Sequence, residues 1–420
     1  MLNRGTIAIA LLATFVTNTT YANDFDIQFS GFASLTLSYT DDSDIGFASS
    51  YSNENEAGFS ATRDSILGGQ ANISLAKKWD SVFQVVIQDH AFKSFDNFLE
   101  LAFVRYRPSR HWAIRAGRLN SDLYLLSEYP YVGYAYLWVR PPHSYYSFAN
   151  IAGNFDGVDV EYSKAINEGF LRIKLAYGSS TAKLEAYNDD FFIDFDNLAT
   201  FSAAYTLDAW TLRFSLSQSN FGDYKLTSLD EYLGALDAVP QSIWPQARAI
   251  SDKFNTKGNS IEYAAFGVTY DHNNWLIQSE LGVSESDWIV APSVLSTYVS
   301  AGYRVDNAIF YTGFSGAKNR RDVVEITPPV FLPGTPEQVS QPIQQLAAAT
   351  QSAVRITNVH QHSINIGVKW HLSDRIALKA QLDRFDIKPQ GAGLWSLNNR
   401  DDAIKSNTVH IFSLNASMVF

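Results

Sequence analysis

The chain contains no cysteine and only two methionines among 420 residues. Disulfides, thiolate metal sites and cysteine nucleophiles are therefore excluded. Beyond the first residues no apolar run reaches the ~18 residues that a membrane-spanning helix needs. An excess of positive charge is missing too: 32 basic residues face 43 acidic ones, for a net charge of −11. That balance argues against nucleic acid as a partner, because binding it calls for a basic footprint. What the chain has in quantity is aromatic residues, 14% of the total, a class that suits strands and membrane interfaces.

Residues 1–22 carry one early positive charge, Arg4, then an apolar run from Ile7 to Val16, then small Thr20 and Ala22. This is the pattern of a secretory signal peptide cut after Ala22, so the organisation expected is a signal at 1–22 and one domain at 23–420.

The stretch FDIQFSGFASLTLSY, Phe25 to Tyr39, places Phe25, Ile27, Phe29, Gly31, Ala33, Leu35, Leu37 and Tyr39 on one face, with mostly small polar residues between them. A period of two marks a strand with one apolar and one wet face, yet fifteen residues far exceed a usual soluble strand. The pattern returns in Leu67 to Leu75, Phe83 to Ile87, FLRIKLAY, WTLRFSLSQ, SINIGVKW and IALKAQLD. About sixteen such segments are expected, each near the length of a tilted transmembrane strand.

Connections alternate between short ones, such as TLDAW, DHNNW and RVDN, and long polar ones at 41–64, 178–190, 220–258, 316–356 and 388–405. That is the hairpin rhythm of a transmembrane barrel. Trp79, Trp112, Trp210 and Trp275 stand at strand starts, where an aromatic girdle belongs, and PEQVSQPIQQLAAATQSAV predicts a short helix within the 316–356 insertion. TVHIFSLNASMVF, ending at Phe420, reads as a last strand pairing with the first, which removes both sheet edges. The fold class expected is an all-β transmembrane antiparallel barrel with an aqueous lumen.

With the segment 1–22, GFASLTLSY as first strand and the terminal Phe420, the chain resembles the general porins of Gram-negative outer membranes. The resemblance covers the mature chain as pattern more than identity. It implies a sixteen-stranded barrel with short periplasmic turns, long extracellular loops, a third loop folded into the pore, and a homotrimer lying among outer-membrane lipid and lipopolysaccharide. The loop position falls on residues 119–156, which depart from the family's acidic constriction loops in being aromatic.

That candidate loop holds Tyr124, Tyr129, Tyr131, Tyr134, Tyr136, Trp138, Tyr145 and Tyr146, with Asp122, Glu128, Arg140 and His143 among them. Rings with an apolar face and a polar tip suit stacking on sugars or aromatic solutes; the alternative is that they pack the loop against the wall or a subunit interface. On wet strand faces lie Arg105, Arg115, Arg118, Arg172, Lys174, Arg213, Arg304, Lys379 and Arg384, with Glu100 and Glu280. The resemblance implies that such bases oppose loop acids across the narrowest point, where rings of charge set ion preference. Arg115 and Arg118 are the foremost constriction candidates, and pairing across a wet wall is the alternative for each residue.

Enzyme readings have less behind them. His360 and His362 share a strand face but lack a further ligand at metal spacing. His143 beside Ser144 has the residue types of a base and nucleophile but not the separation by which such pairs are recognised. The acidic runs at 41–44 and 188–190 suit loop tips or hard cations. The expectation is a passive channel for small hydrophilic solutes and ions, with no cofactor, no metal and no catalytic residue. A solute-specific porin with a saturable aromatic site, and an adhesive or enzymatic barrel, are the rivals.

Overall fold

A computed structural model describes residues 26–420 apart from 43, 48–56, 90–94, 150–152, 187–188, 226, 322–323 and 398–404. The expected signal segment 1–22 lies outside the described residues.

Sixteen long strands run in chain order: β1 (Asp26–Thr40), β2 (Ile66–Ala76), β3 (Trp79–Gln88), β4 (Leu99–Ser109), β5 (Trp112–Asn120), β6 (Asn154–Ile166), β7 (Gly169–Ala186) and β8 (Asp189–Leu207). They continue with β9 (Trp210–Lys225), β10 (Ser260–His272), β11 (Trp275–Ser286), β12 (Val294–Val305), β13 (Ala308–Asn319), β14 (Val359–Ser373), β15 (Ile376–Ala392) and β16 (Asn407–Val419). Each pairs antiparallel with its neighbours in sequence. The sheet closes where β1 meets β16, from Phe32↔Val419 to Thr40↔Ile411. Beyond that ladder the Gly31 N–H donates to the Phe420 carbonyl at 2.8 Å and the Phe420 N–H to Gly31 at 2.9 Å. A Cβ on Gly31 would stand 2.4 Å from the Phe420 ring, so the glycine lets the terminal aromatic lie over the seam.

Short turns gather at one end. Asn167, Asp208, Asn273 and Asp306 each open a two-residue hairpin with φ between 47° and 53°. Asn and Asp tolerate this left-handed backbone better than other side chains. The same end carries cross-strand pairs of exposed tryptophans with half-buried or exposed tyrosines: Trp79 with Tyr106 at 4.5 Å, Trp112 with Tyr162 at 4.9 Å, Trp210 with Tyr270 at 4.6 Å and Trp275 with Tyr303 at 4.9 Å. Above them Leu212, Leu216, Phe266, Leu281, Val299, Phe310, Ile366, Leu382 and Leu414 point outward and exposed. Their strand neighbours Ser215, Ser300, Asn365, Asp383 and Ser413 point inward and are buried. An aromatic band under an apolar wall matches a bilayer, where every backbone group must be satisfied within the barrel.

Long connections gather at the other end, with departures from expectation: residues 220–225 of one expected loop finish β9 and 316–319 of another finish β13. Residues 178–186 belong to β7 and 189–190 to β8, two strands that rise past their neighbours. The expected loop 388–405 begins only after Ala392, and Trp395–Leu397 within it pairs with Ile45–Phe47 as a two-stranded ribbon. The expected loop 119–156 is shorter, because Leu119 and Asn120 finish β5 and Asn154 opens β6. Helix α1 (Phe95–Phe98) precedes β4 and α2 (His143–Ala149) lies in the segment between β5 and β6.

Helices α3 (Thr227–Asp237), α4 (Gln246–Phe254) and α5 (Glu337–Ile356) pack on one another above the wall. Their apolar spacing is helical: α4 buries Ala247, Ile250 and Phe254, and α5 turns Ile343, Leu346, Ala347 and Val354 to the same cluster. The helix expected in 316–356 is thus five turns long, with Glu337 in its first turn and Arg355 in its last, where each charge suits the helix dipole.

Candidate functional site

Residues 121–149 stand inside the barrel. Tyr134 at their tip has its hydroxyl 3.5 Å from the Ser373 carbonyl, at the short-turn end of β14. Gln361 near the other end of β14 donates from its side-chain amide to the Ser144 hydroxyl at 3.0 Å. Twelve strand residues separate these contacts, about 40 Å at ~3.3 Å per residue. One loop therefore runs most of the height of the lumen.

Its circuit begins at Asp122, fully buried, which pairs with Lys174 of β7 at 3.1 Å and with Arg213 of β9, and accepts from Ser202 of β8 at 2.8 Å. The Leu125 N–H then donates to Glu280 of β11 at 2.8 Å. Glu280, 1% exposed, also accepts from Tyr146 at 2.5 Å, Tyr298 at 2.9 Å and Tyr145 at 3.3 Å. Four donors fill the lone-pair sites that a carboxylate offers, so this acid fastens two separate parts of the loop to the wall.

The rings close around that anchor. Tyr145 and Tyr298 meet edge-on at 5.4 Å, Trp138 meets Tyr298 at 5.8 Å, and the Trp138 indole N–H donates to Ser300 at 3.0 Å. Tyr124, Tyr136, Trp138, Tyr145 and Tyr146 are all buried in this cluster. These rings pack loop on wall, the second of the two roles the sequence left open. Tyr129, Tyr131 and Tyr134 alone among the loop tyrosines stay half-buried.

At the upper end Arg140 is enclosed by Asp64 at 2.5 Å and Asp383 at 3.2 Å, with its guanidinium 4.6 Å over the Phe47 ring. Phe47, on the two-stranded ribbon, is fully buried against His143, Phe385 and Trp395. The ribbon thus caps the loop inside the mouth. His143 is packed among rings rather than poised as a base toward Ser144, and Gln361 contacts both.

The remaining candidates separate into those that face the lumen and those that do not. Arg115 faces inward and pairs with Asp159 of β6, its guanidinium 5.1 Å over Phe103. Arg172 pairs with the exposed Glu128 of the loop. Glu100 is buried, accepting from Asn154 at 3.1 Å and contacting Tyr131. Arg118, a foremost candidate for the constriction, is on the outer face instead. It pairs with Asp156 and Asp96, each at 2.8 Å, and Asp96 also holds Lys183 at 2.6 Å. The alternation required this, since Arg115 and Arg118 are an odd number of residues apart. Arg384 is outward as well, as are His360 and His362, the latter 3.4 Å from Asp386.

The expected arrangement of bases and acids facing each other across an opening is therefore replaced by direct contact: each charge of the loop touches its opposite on the wall. Among the described residues, what the loop leaves to water is its edge from Glu128 to Ala135, where Glu128 and Ala135 are exposed. The wall of β2 to β4 adds a half-buried polar ladder, Gln84 to Gln70 at 2.8 Å and Gln70 to Asn72 at 3.0 Å, and Arg105 held at Asp80.

Sequence had no means of finding Glu280, Lys369, Lys379 and Gln381 as the loop's anchors, because only the closed barrel brings together residues from 134 to 246 positions apart. Their one signal was position: all lie on the wet face of an alternating strand.

No family model matches the chain, and no curated protein matches it. Solved structures do. The anion-selective porin from Comamonas acidovorans is 11% identical over 94% of this chain and 100% of its own, with a TM-score of 0.52. OmpF of Salmonella typhi in complex with daunomycin is 11% identical over 96% and 99%, at 0.53. The loop L8 deletion mutant of OmpT, an outer membrane protein of Vibrio cholerae, is 12% identical over 95% and 100%, at 0.51. Identities this low speak to architecture alone: this chain is a closed antiparallel barrel of sixteen long strands, similar in fold to these solved structures.

Proposed function

We propose that the protein is an outer-membrane channel of porin type, through which small hydrophilic solutes and ions pass down their gradients without chemical conversion. Export by the segment 1–22, a site among outer-membrane lipid and lipopolysaccharide, and assembly as a homotrimer belong to this reading. The observation that carries it is the closed wall of sixteen strands, apolar outside and polar inside, with the loop residues 121–149 within the lumen. Barrels of this strand number enclose more space than their own side chains fill, and here a loop occupies much of it. Passage then follows the edge Glu128–Ala135, with Arg172, Arg115, Tyr131 and Tyr134 as the groups nearest to solute. Burial of Tyr124, Tyr136, Tyr145, Tyr146 and Trp138 weighs against the rival reading of a broad aromatic solute site.

Swelling of liposomes that contain the refolded protein tests the reading. Rates are expected to be measurable for a monosaccharide and to fall steeply through di- and trisaccharides. No swelling with the smallest sugar, from protein shown to be folded in the bilayer, would refute it.

A further inference from the structure

Near the short-turn end of the lumen two lysines stand where cations are hardest to keep. Lys369 of β14 and Lys379 of β15 are direct cross-strand partners, both point inward, and both are buried. Like charges directly opposite each other destabilise a strand pair, and a buried ammonium needs a counter-charge to offset lost hydration. Among the described residues neither lysine has a carboxylate partner. Lys379 donates to the carbonyls of Gly133 at 2.6 Å and Trp138 at 2.5 Å, and Lys369 to that of Tyr134 at 2.5 Å. The rings of Tyr136 and Tyr134 lie 4.6 and 5.0 Å from the two ammonium groups. Beside the same Gly133 the Ser34 hydroxyl is buried with no hydrogen-bond partner. Of the other bases nearby, Arg304 is already matched by Asp271 at 2.7 Å, and His371 lies against Tyr134, its Nδ1 3.4 Å from the hydroxyl.

We propose that Lys369 and Lys379 form a binding station for a small oxyanion, a phosphate or carboxylate, on its way through the channel. The lysines now rest on neutral carbonyls of a loop tip, and an anion supplies the counter-charge those carbonyls lack. Its oxygens replace the loop carbonyls as acceptors, with Ser34 as a further donor. This rests on the channel reading above, and it makes the channel prefer anions although the chain's net charge is −11.

Two measurements decide it. In planar bilayers under a potassium chloride gradient, the wild-type reversal potential is expected to have the sign of anion preference. In K369Q/K379Q the anion-to-cation permeability ratio falls severalfold. In detergent, sodium phosphate at an ionic strength matched with sodium chloride raises the heat-dissociation midpoint of the folded wild type, because a ligand bound only by the folded state stabilises it; K369Q/K379Q shows no such rise. Cation preference in the wild type, an unchanged ratio in the variant, or no phosphate-dependent rise overturns the station. A silent bilayer refutes the channel reading instead, and the phosphate titration, which needs no current, then decides the station alone. Should the variant fail to fold, the wild-type potential and titration decide it.

Discussion

Removing the Arg140 guanidinium tests how tightly the loop is built into the wall. Asp64 and Asp383, at 8% and 6% side-chain exposure, enclose it, and its plane covers Phe47. Arg140→Met keeps much of the volume and strands two buried carboxylates. Breaking a buried ion pair from one side costs about 3–5 kcal/mol. Removing both sides together is often close to neutral, so the triple variant Arg140→Met/Asp64→Asn/Asp383→Asn is expected to recover most of the loss. Urea titration in detergent micelles, followed by the fluorescence of the nine tryptophans, reads both numbers. A cost below ~1 kcal/mol for Arg140→Met, the range of exposed ion pairs, would mean that these carboxylates reach water and that the loop is not packed where the structure puts it.

Three more outcomes follow from the barrel. Phe266→Arg, on the outer face of β10, is expected to lower stability in lipid vesicles by about 2–4 kcal/mol if it sits near the bilayer midplane; no loss would argue against lipid on that face. Gly117 has φ of 130° and a Cβ there would lie 2.3 Å from the Ala102 carbonyl oxygen, so Gly117→Ala should reduce the folded fraction on semi-native gels, and an unchanged fraction would refute the close approach. Asp96, in α1, has its carboxyl held below the ordinary 3.8 by its hydrogen bond from Lys183, with burial opposing and Arg118 adding to the lowering. A depressed acid contributes its full stability above the unfolded pKa and loses it as pH falls through the folded one. Hydrogen exchange at 95–99, corrected for intrinsic rate, should therefore stay protected at about pH 5 and open only below about pH 4; loss already at pH 5 would contradict the ion cluster.

Strand number, wall polarity and the short-turn girdle were legible because each follows from a local rule. Period-two alternation assigns a face to every strand residue, and Trp79, Trp112, Trp210 and Trp275 announced the girdle by their place after turn residues. The same rule, applied strictly, separates Arg115 from Arg118, and reading Arg118 as a lumen residue neglected it. The full length of β7 and β8 was hidden because the run at 188–190 has the composition of a loop. The loop's partners were not legible at all. A tyrosine that stacks on solute and one that caps Glu280 look alike in sequence, and only burial distinguishes Tyr145 from Tyr134.

The most direct measurement uses the absence of cysteine. Ala135→Cys places one thiol on the exposed edge of the loop, and Val330→Cys places one on a distal connection, 70% exposed. In planar bilayers each folded variant is expected to give discrete, long-lived conductance steps. A charged, water-soluble methanethiosulfonate should cut the step size at Ala135→Cys and leave it unchanged at Val330→Cys. Steps that do not change once Ala135→Cys is shown to be labelled, or no steps from folded protein, would contradict a porin-type channel with the loop residues 121–149 standing in its path.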